Sequence, residues 1–264
     1  MHYFKHKKDK FGVCNICLNE ANLTWDHVPP KGGVQLAAVE MQTILQRLTK
    51  NKNEFTISQN GVKYRTICKK CNEFLGSTYD KAINEFARTV SLYIKSNVIL
   101  PETILHKIFP NLIVKGILAH LLSAKAEIDE VDFDEKIRKI VLDKKSIIPS
   151  DIHVFYWIYP YEHTIIIRDS LMPSKRGKFD SFSFFHMLKY FPIAYLVSDS
   201  SYYQNLPELT NYCTNDNFLQ VEIPIKLKRV ENYNWPEVVD NSNIFIGGKS
   251  IESSIIAKPR LNKK

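Results

Sequence analysis

Four cysteines and one Asp-His dipeptide are the residues here whose types and spacing can do chemistry. Cys14 and Cys17 form a CxxC pair, "CNIC", and Cys68 and Cys71 form a second, "CKKC", some fifty residues later. Two such pairs supply four thiolates in the pattern of a closed tetrahedral zinc site. Two disulfides are disfavoured in a reducing compartment, and a thioredoxin-like motif needs only one pair in a βα setting. Between the pairs runs "LTWDHVPPKGG" (23–33), in which Asp26-His27 precedes two prolines and two glycines. Taken alone, this dipeptide reads either as a reactive pair on a bend or as an ordinary turn in which Asp bonds its own backbone. Asn72 directly follows Cys71, where it can cap a helix. The fifth cysteine, Cys213, is expected to be a small buried hydrophobe.

The elements that must position these groups can be read from periodicity. "LTW" is expected to be a short strand. Residues 34–49, "VQLAAVEMQTILQRLT", show Leu36, Val39, Ile44, Leu45 and Leu48 near a 3.6 period and are expected to be a helix. "FTISQNGVKYRTIC" carries strand residues around Asn60-Gly61 and is expected to be a hairpin leading into Cys68. Residues 72–95 are helical in pattern, with Phe74, Leu75, Tyr79, Ile83, Phe86, Val90 and Ile94 on one stripe. Closing a zinc site on the four cysteines brings 14–17 against 68–71. That pins the Asp26-His27 turn near the helix start, so the metal acts as a staple for a small ββα-type unit. Pro101 is expected to open another helical stretch broken at Pro110, with a further helix over 133–145. After residue 151 the runs "IHVFYWIYP", "HTIIIRDSL", "SFSFFHMLKYF" and "IAYLVSD" are rich in β-branched and aromatic residues and are expected to be strands of a mainly β region running to about residue 230. "PSKRGK" (173–178) reads as a solvated hairpin tip, and "AKPRLNKK" at the end as a frayed basic tail.

Composition narrows the class. With 264 residues, 44% hydrophobic and 24% charged, the chain matches a soluble globular protein. No apolar run approaches a membrane span; "FPNLIVKGILAHLLSA" (109–124) comes nearest, and Lys115 and His120 interrupt it. No signal peptide is seen, and a cytoplasmic location is expected. The net charge of +8 is concentrated early: residues 1–100 hold 15 basic and 8 acidic residues, the rest 21 and 20. A basic segment beside a candidate reactive site points to a polyanion, nucleic acid first; a solubilising surface is the plain alternative.

The arrangement "CNIC … WDHVPP … CKKCNEFLG" resembles an HNH endonuclease of the ββα-metal group carrying a four-Cys structural zinc. The resemblance covers roughly residues 14–95 and rests on the Asp-His-Val-Pro and Cys-x-x-Cys-Asn runs in their order. It implies a zinc-stapled ββα module at 1–100; beyond about residue 100 the chain resembles no family, and its residue pattern adds a helical connector at 101–150 and a mainly β region at 151–264, an α+β fold overall, the last region being expected to act as sensor, partner-binding or oligomerisation domain. The resemblance also implies metal-dependent hydrolysis of phosphodiester bonds in nucleic acid, DNA foremost, as in anti-phage or toxin-like effectors. On this reading His27 is the general base, since a neutral imidazole can take a proton from water near pH 7. Asp26 and Asn72 hold a catalytic ion through oxygen, which suits Mg²⁺ or Mn²⁺. Lys31, Lys69 and Lys70, with Lys5, Lys7 and Lys8, are the expected phosphate contacts. A regulatory protein or a second copy of the chain is a further expected partner, and no membrane is.

Two departures from the pattern stand out. The Asn that orients the base has no clear counterpart, and Asn60 is the nearest. A second ligand one helical turn after Asn72 would fall on Gly76, which has no side chain. Asp80, about 12 Å further along a continuous helix, is expected to play a supporting role. His106, His120, His153, His163 and His186 show no metal spacing and are expected in core or surface. The sheet aromatics of 152–191 read as core, with a nucleic-acid stacking platform as the alternative. The rival to a nuclease is a non-catalytic zinc-bound nucleic-acid or protein-interaction module.

Overall fold

A computed structural model of the chain describes residues 5–33, 37–48, 55–126, 131–175, 178–201, 206–228, 232, 233, 235, 245, 246 and 254–260. The fold is α+β, with strands predominating. Near the N-terminus, β1 (Phe11–Val13) and β2 (Glu20–His27) pair antiparallel. The chain then contributes β3 (Val39–Thr43), the short α1 (Ile44–Leu48) and β4 (Thr56–Ser58) before β5 (Lys63–Cys68). β5 returns to pair with β2, giving a three-stranded sheet in the order β1-β2-β5. From Cys68 the chain enters α2 (Lys69–Thr78) and then α3 (Asp80–Ile94). The expected single helix of 72–95 is thus broken at Tyr79, whose φ of −115° departs from helical geometry.

The remaining elements are β6 (Thr103–Ile108), α4 (Pro110–Ser123), α5 (Asp132–Leu142), β7 (His153–Ile158), β8 (Thr164–Lys175), β9 (Lys178–Tyr190), β10 (Ile193–Ser198), β11 (Val221–Lys226), β12 (Phe245–Ile246) and β13 (Ile255–Pro259). All fourteen residues of α4 are buried, the polar Asn111, Lys115, His120 and Ser123 among them, each with hydrogen-bond partners. Gly116 permits its close approach to α3, since a Cβ there would lie 2.4 Å from Ile83 Cδ1. Pro110 starts α4 at a position where its missing N–H costs nothing.

Several expectations are corrected. Residues 39–43 are a strand, because β3 finds ladder partners in β4 and β13 that a helical stripe cannot supply. Of the helix expected over 34–49, only Ile44–Leu48 is helical, and 34–36 and 49 lie outside the described residues. β4 and β5 do not form a hairpin: the Asn60-Gly61 corner, with Gly61 at φ 72°, sends them into different sheets. The stretch after Pro101 is the strand β6, paired with β11, rather than helix. Of the frayed tail expected over 257–264, residues 257–259 end the strand Ile255–Pro259 instead, and 261–264 lie outside the described residues. This strand is β13, lying between β3 and β8 in an eight-stranded sheet whose order is β4-β3-β13-β8-β9-β10-β7, with β12 as the eighth strand, also paired to β8. The tip of the β8–β9 hairpin at 176–177 lies outside the described residues.

One hydrophobic cluster runs from Cys14 through α3 and α4 to Tyr195 and Ala257. The core therefore crosses the boundaries drawn at residues 100 and 150. No described helix is long and apolar enough to cross a membrane.

Candidate functional site

The cysteine clamp is built by two turns. Cys14 follows β1 in a turn that closes by Leu18 N–H donating to the Cys14 carbonyl at 2.9 Å. Cys68 ends β5 as the N-cap residue of α2, and Cys71 stands in that helix's first turn. The four Sγ atoms lie within 4.8 Å of one another, and Cys17 and Cys68 are 3.9 Å apart. Four sulfurs around a metal at 2.3 Å would be separated by roughly 3.8 Å. The Cys68 N–H donates to Cys14 Sγ at 3.3 Å. Hydrogen bonding from Cys71 and from backbone N–H groups outweighs burial and draws the Cys14 thiol far below its ordinary value, while Cys71 is pushed up. This donor set fits one structural ion such as zinc.

The clamp fixes β2 against β5 and α2. His27 ends β2 opposite Lys63, Asp26 is opposite Tyr64, and Trp25 is opposite Arg65. Alternation then puts Trp25 and His27 on the outer face with Lys63 and Arg65, and turns Asp26 inward. The glycines of the opening motif have a packing role. A Cβ on Gly32 would stand 2.5 Å from Asn84 Nδ2, so the turn at Lys31–Gly33 can lie directly on α3.

His27 is partly buried. Burial lowers its pKa, opposed by Asp26 and the Asn60 backbone carbonyl and reinforced by Lys63 and Lys31. The ring is therefore neutral at pH 7, and its buried Nε2 has no hydrogen-bond partner. Asn60 does reach the imidazole, but through its main chain rather than its amide. Asn72 does not cap its helix. Its Nδ2 donates to the Trp25 carbonyl at 2.9 Å and to Thr24 Oγ1 at 3.1 Å, stitching α2 to the bulge between Thr24 and Trp25. Asn72 is thereby brought beside the backbone that carries Asp26.

Asp26 itself is 5% exposed. Its Oδ2 accepts from Ser123 Oγ at 2.6 Å and meets His120 Nδ1 at 3.2 Å. The other ring nitrogen, His120 Nε2, is 3.0 Å from Asp80 Oδ1. Burial alone would lower the His120 pKa, but the two carboxylates raise it to about 10. Because the helix breaks at Tyr79, Asp80 turns back toward this group instead of running on along α2. Its Oδ2 lies 4.0 Å from the position a Cβ at Gly76 would take.

Among the expected phosphate contacts, Lys5, Lys7, Lys31, Lys69 and Lys70 are exposed, Lys69 forming a helix-surface pair with Glu73 at 3.6 Å. Lys8 is a correction. Its Nζ donates inward to the Val13 carbonyl and the Asn15 side chain, and burial lowers it to about 8. The sequence reading missed an aromatic and cationic group instead. Trp25, 38% exposed, stacks on His6 at 5.6 Å and carries Lys63 Nζ and Arg65 Cζ each 5.4 Å from its ring centroid. It missed His120 and Ser123 as well. The one available signal was the presence of His120 and Lys115 inside an otherwise apolar helix. Cys213 is partly buried, its thiol pushed up to about 12 by burial.

Asp134, Asp169 and His186 also approach closely enough to hold a metal. Here the carboxylates are already matched by cations: Lys125 Nζ lies 2.8 Å from Asp134 and 2.9 Å from Asp169, and Arg168 Nη2 lies 2.8 Å from Asp134. The Asp169 N–H donates to His186 Nδ1, and burial lowers His186 to about 3, keeping it neutral. This cluster is an ion network joining the helices to β8 and β9. A comparison with known protein families, characterised proteins and solved structures finds no match to this chain.

Proposed function

We propose that this chain is a metal-dependent endonuclease of the HNH type that hydrolyses phosphodiester bonds in nucleic acid, DNA foremost. The observation that carries the reading is the position of His27. It is a neutral imidazole with an unpartnered Nε2, on the same strand face as Trp25, Lys63 and Arg65, next in the chain to an inward Asp26, and Asn72 is stitched to Thr24 and Trp25 just before it. In that role His27 takes the proton from the attacking water, while the Asn60 carbonyl fixes the ring. Lys63 and Arg65 receive the phosphate backbone next to it. Asp26 and Asn72 are the oxygen donors that would hold Mg²⁺ or Mn²⁺, a set whose chemistry suits a hard divalent ion. Such an ion, when bound, polarises the phosphate and steadies the leaving oxygen.

The test is cleavage of supercoiled plasmid with Mg²⁺ or Mn²⁺. His27→Ala should abolish nicking and double-strand cleavage and leave the zinc content unchanged; full activity in that variant refutes the assignment. One observation favours a second reading, a zinc-bound nucleic-acid-binding module without catalysis. The Nε2 of His27 is buried, and Asp26 Oδ2 is engaged by His120 and Ser123. Wild-type protein that binds DNA yet cleaves with no divalent ion would select it.

A further inference from the structure

The Cys-bounded segment does not hold its own Asp26 in place. The carboxylate is gripped from α4, on the far side of the core, by two side chains that no motif includes. Ser123 Oγ donates to Asp26 Oδ2 at 2.6 Å, and His120 Nδ1 meets the same oxygen at 3.2 Å. His120 is fully buried, so its ring can be oriented only by what it touches. Its other nitrogen is fixed by Asp80 at 3.0 Å. Ser123 is fixed in turn, because its carbonyl accepts from Thr66 Oγ1 at 2.6 Å, on the strand that pairs with β2. The path is therefore closed: β2 to α4 through Asp26, α4 to β5 through Thr66, and α4 to the start of α3 through Asp80. A carboxylate with one oxygen held this way has a single orientation. That is the condition a ligand needs if an ion is to meet it without reorganisation.

We propose that His120 and Ser123 are positioning residues for the Asp26 carboxylate, with Asp80 the anchor of His120. The functional unit of this site then extends through α4 to residue 123. This inference rests on the reading of Asp26 as a ligand for the catalytic ion. A purely structural role for the same bonds would lower stability and leave the affinity for the ion alone, so the two can be separated.

The experiment uses the full chain with its zinc in place. It measures Mn²⁺ binding directly, by the electron paramagnetic resonance of the free ion, and the Mn²⁺ midpoint of plasmid cleavage in parallel. Two amide substitutions split the ring's functions. In His120→Asn the amide ends where Nδ1 does and can still donate to Asp26. In His120→Gln it reaches toward Asp80 and leaves Asp26 ungripped. Supporting partners of ligands typically change metal affinity by about 10–100-fold when removed. His120→Gln and Ser123→Ala should fall in that range, and His120→Asn, which keeps the donor to Asp26, should fall short of it. Zinc content and a melting curve identify any variant that fails to fold; Ser123→Ala, the smallest change, keeps the question open to measurement in that event. Wild-type Mn²⁺ affinity in both Ser123→Ala and His120→Gln overturns the positioning role while leaving a cleaving wild type as a nuclease. If the wild type binds Mn²⁺, and these variants weaken that binding but no protein cleaves, the positioning role stands and the nuclease reading falls. A wild type that neither binds nor cleaves removes both.

Discussion

Two of the buried charge clusters among the described residues are balanced differently. Around β8, Asp134 and Asp169 are matched by Lys125 and Arg168, with a neutral His186 beside them. Near the end of β2, Asp26 and Asp80 share the His120 ring, Asp26 alone accepts from the Ser123 hydroxyl, and Asp80 keeps 22% of its side chain exposed. The first cluster is internally neutral and closed. The second keeps an excess of carboxylate and an opening to the surface. Proximity of acidic groups is common to both, so proximity alone does not identify a cation site. Charge balance sets the two apart: two cations face two carboxylates in the first, and a single imidazolium faces two carboxylates in the second.

The comparison breaks most visibly if a partner is removed from the balanced cluster. Asp134→Asn should cost about 3–5 kcal/mol of stability, since it leaves buried cations undercompensated, and urea unfolding would show it. Mn²⁺ binding should not change; if it does, the assignment of roles to the two clusters is wrong. At the unbalanced cluster, Ser123→Ala should cost about 1.5–3 kcal/mol, as expected for a hydrogen bond to a charged group, and this variant should also weaken Mn²⁺ binding. Acid should act on the balanced cluster through His186, whose folded value near 3 lies below its ordinary 6.5. As the pH drops below 6.5 the unfolded chain takes up a proton that the folded one refuses. Stability contributed by this residue is therefore complete above 6.5 and falls toward 3, by up to about 1.4 kcal/mol per pH unit. His186→Gln, which keeps an acceptor for the Asp169 N–H, should flatten that part of the unfolding-versus-pH curve. Lys69→Ala should do least. The pair with Glu73 is exposed on both sides, and its loss should cost about 0.3–0.5 kcal/mol at most.

What could be read from the chain alone follows the range over which each interaction acts. The cysteine spacing, Asp26-His27 and the strands of 152–198 are local patterns, and local chemistry is enough to find them. α5 lies where its period places it. The strand β3 was not legible: "VEMQT" sits inside a stretch with helical spacing, and its conformation is decided by β4 on one edge and β13 on the other. The contribution of α4 to the site failed to show for the same reason. His120 reads as an interruption in an apolar helix until Asp26 and Asp80, far off in sequence, are seen at its two nitrogens. The break at Tyr79 had no marker such as proline or glycine at that position, so the supporting role expected of Asp80 was legible but its partner, His120, was not.

The position of β13 has a consequence for the order in which the protein can form. Thr43 pairs with Ile255, and Val39 with Pro259, so this ladder joins residues more than two hundred positions apart. During synthesis the cysteine clamp, the Asp-His strand and α4 have all emerged before residue 124, while β3 and β4 still lack their inner neighbour. Loop closure over such a span is entropically unfavourable and slow. The candidate site and the large sheet thus belong to different stages of assembly, and for a time the nascent chain presents β3 as an unpaired edge available to any extended segment nearby.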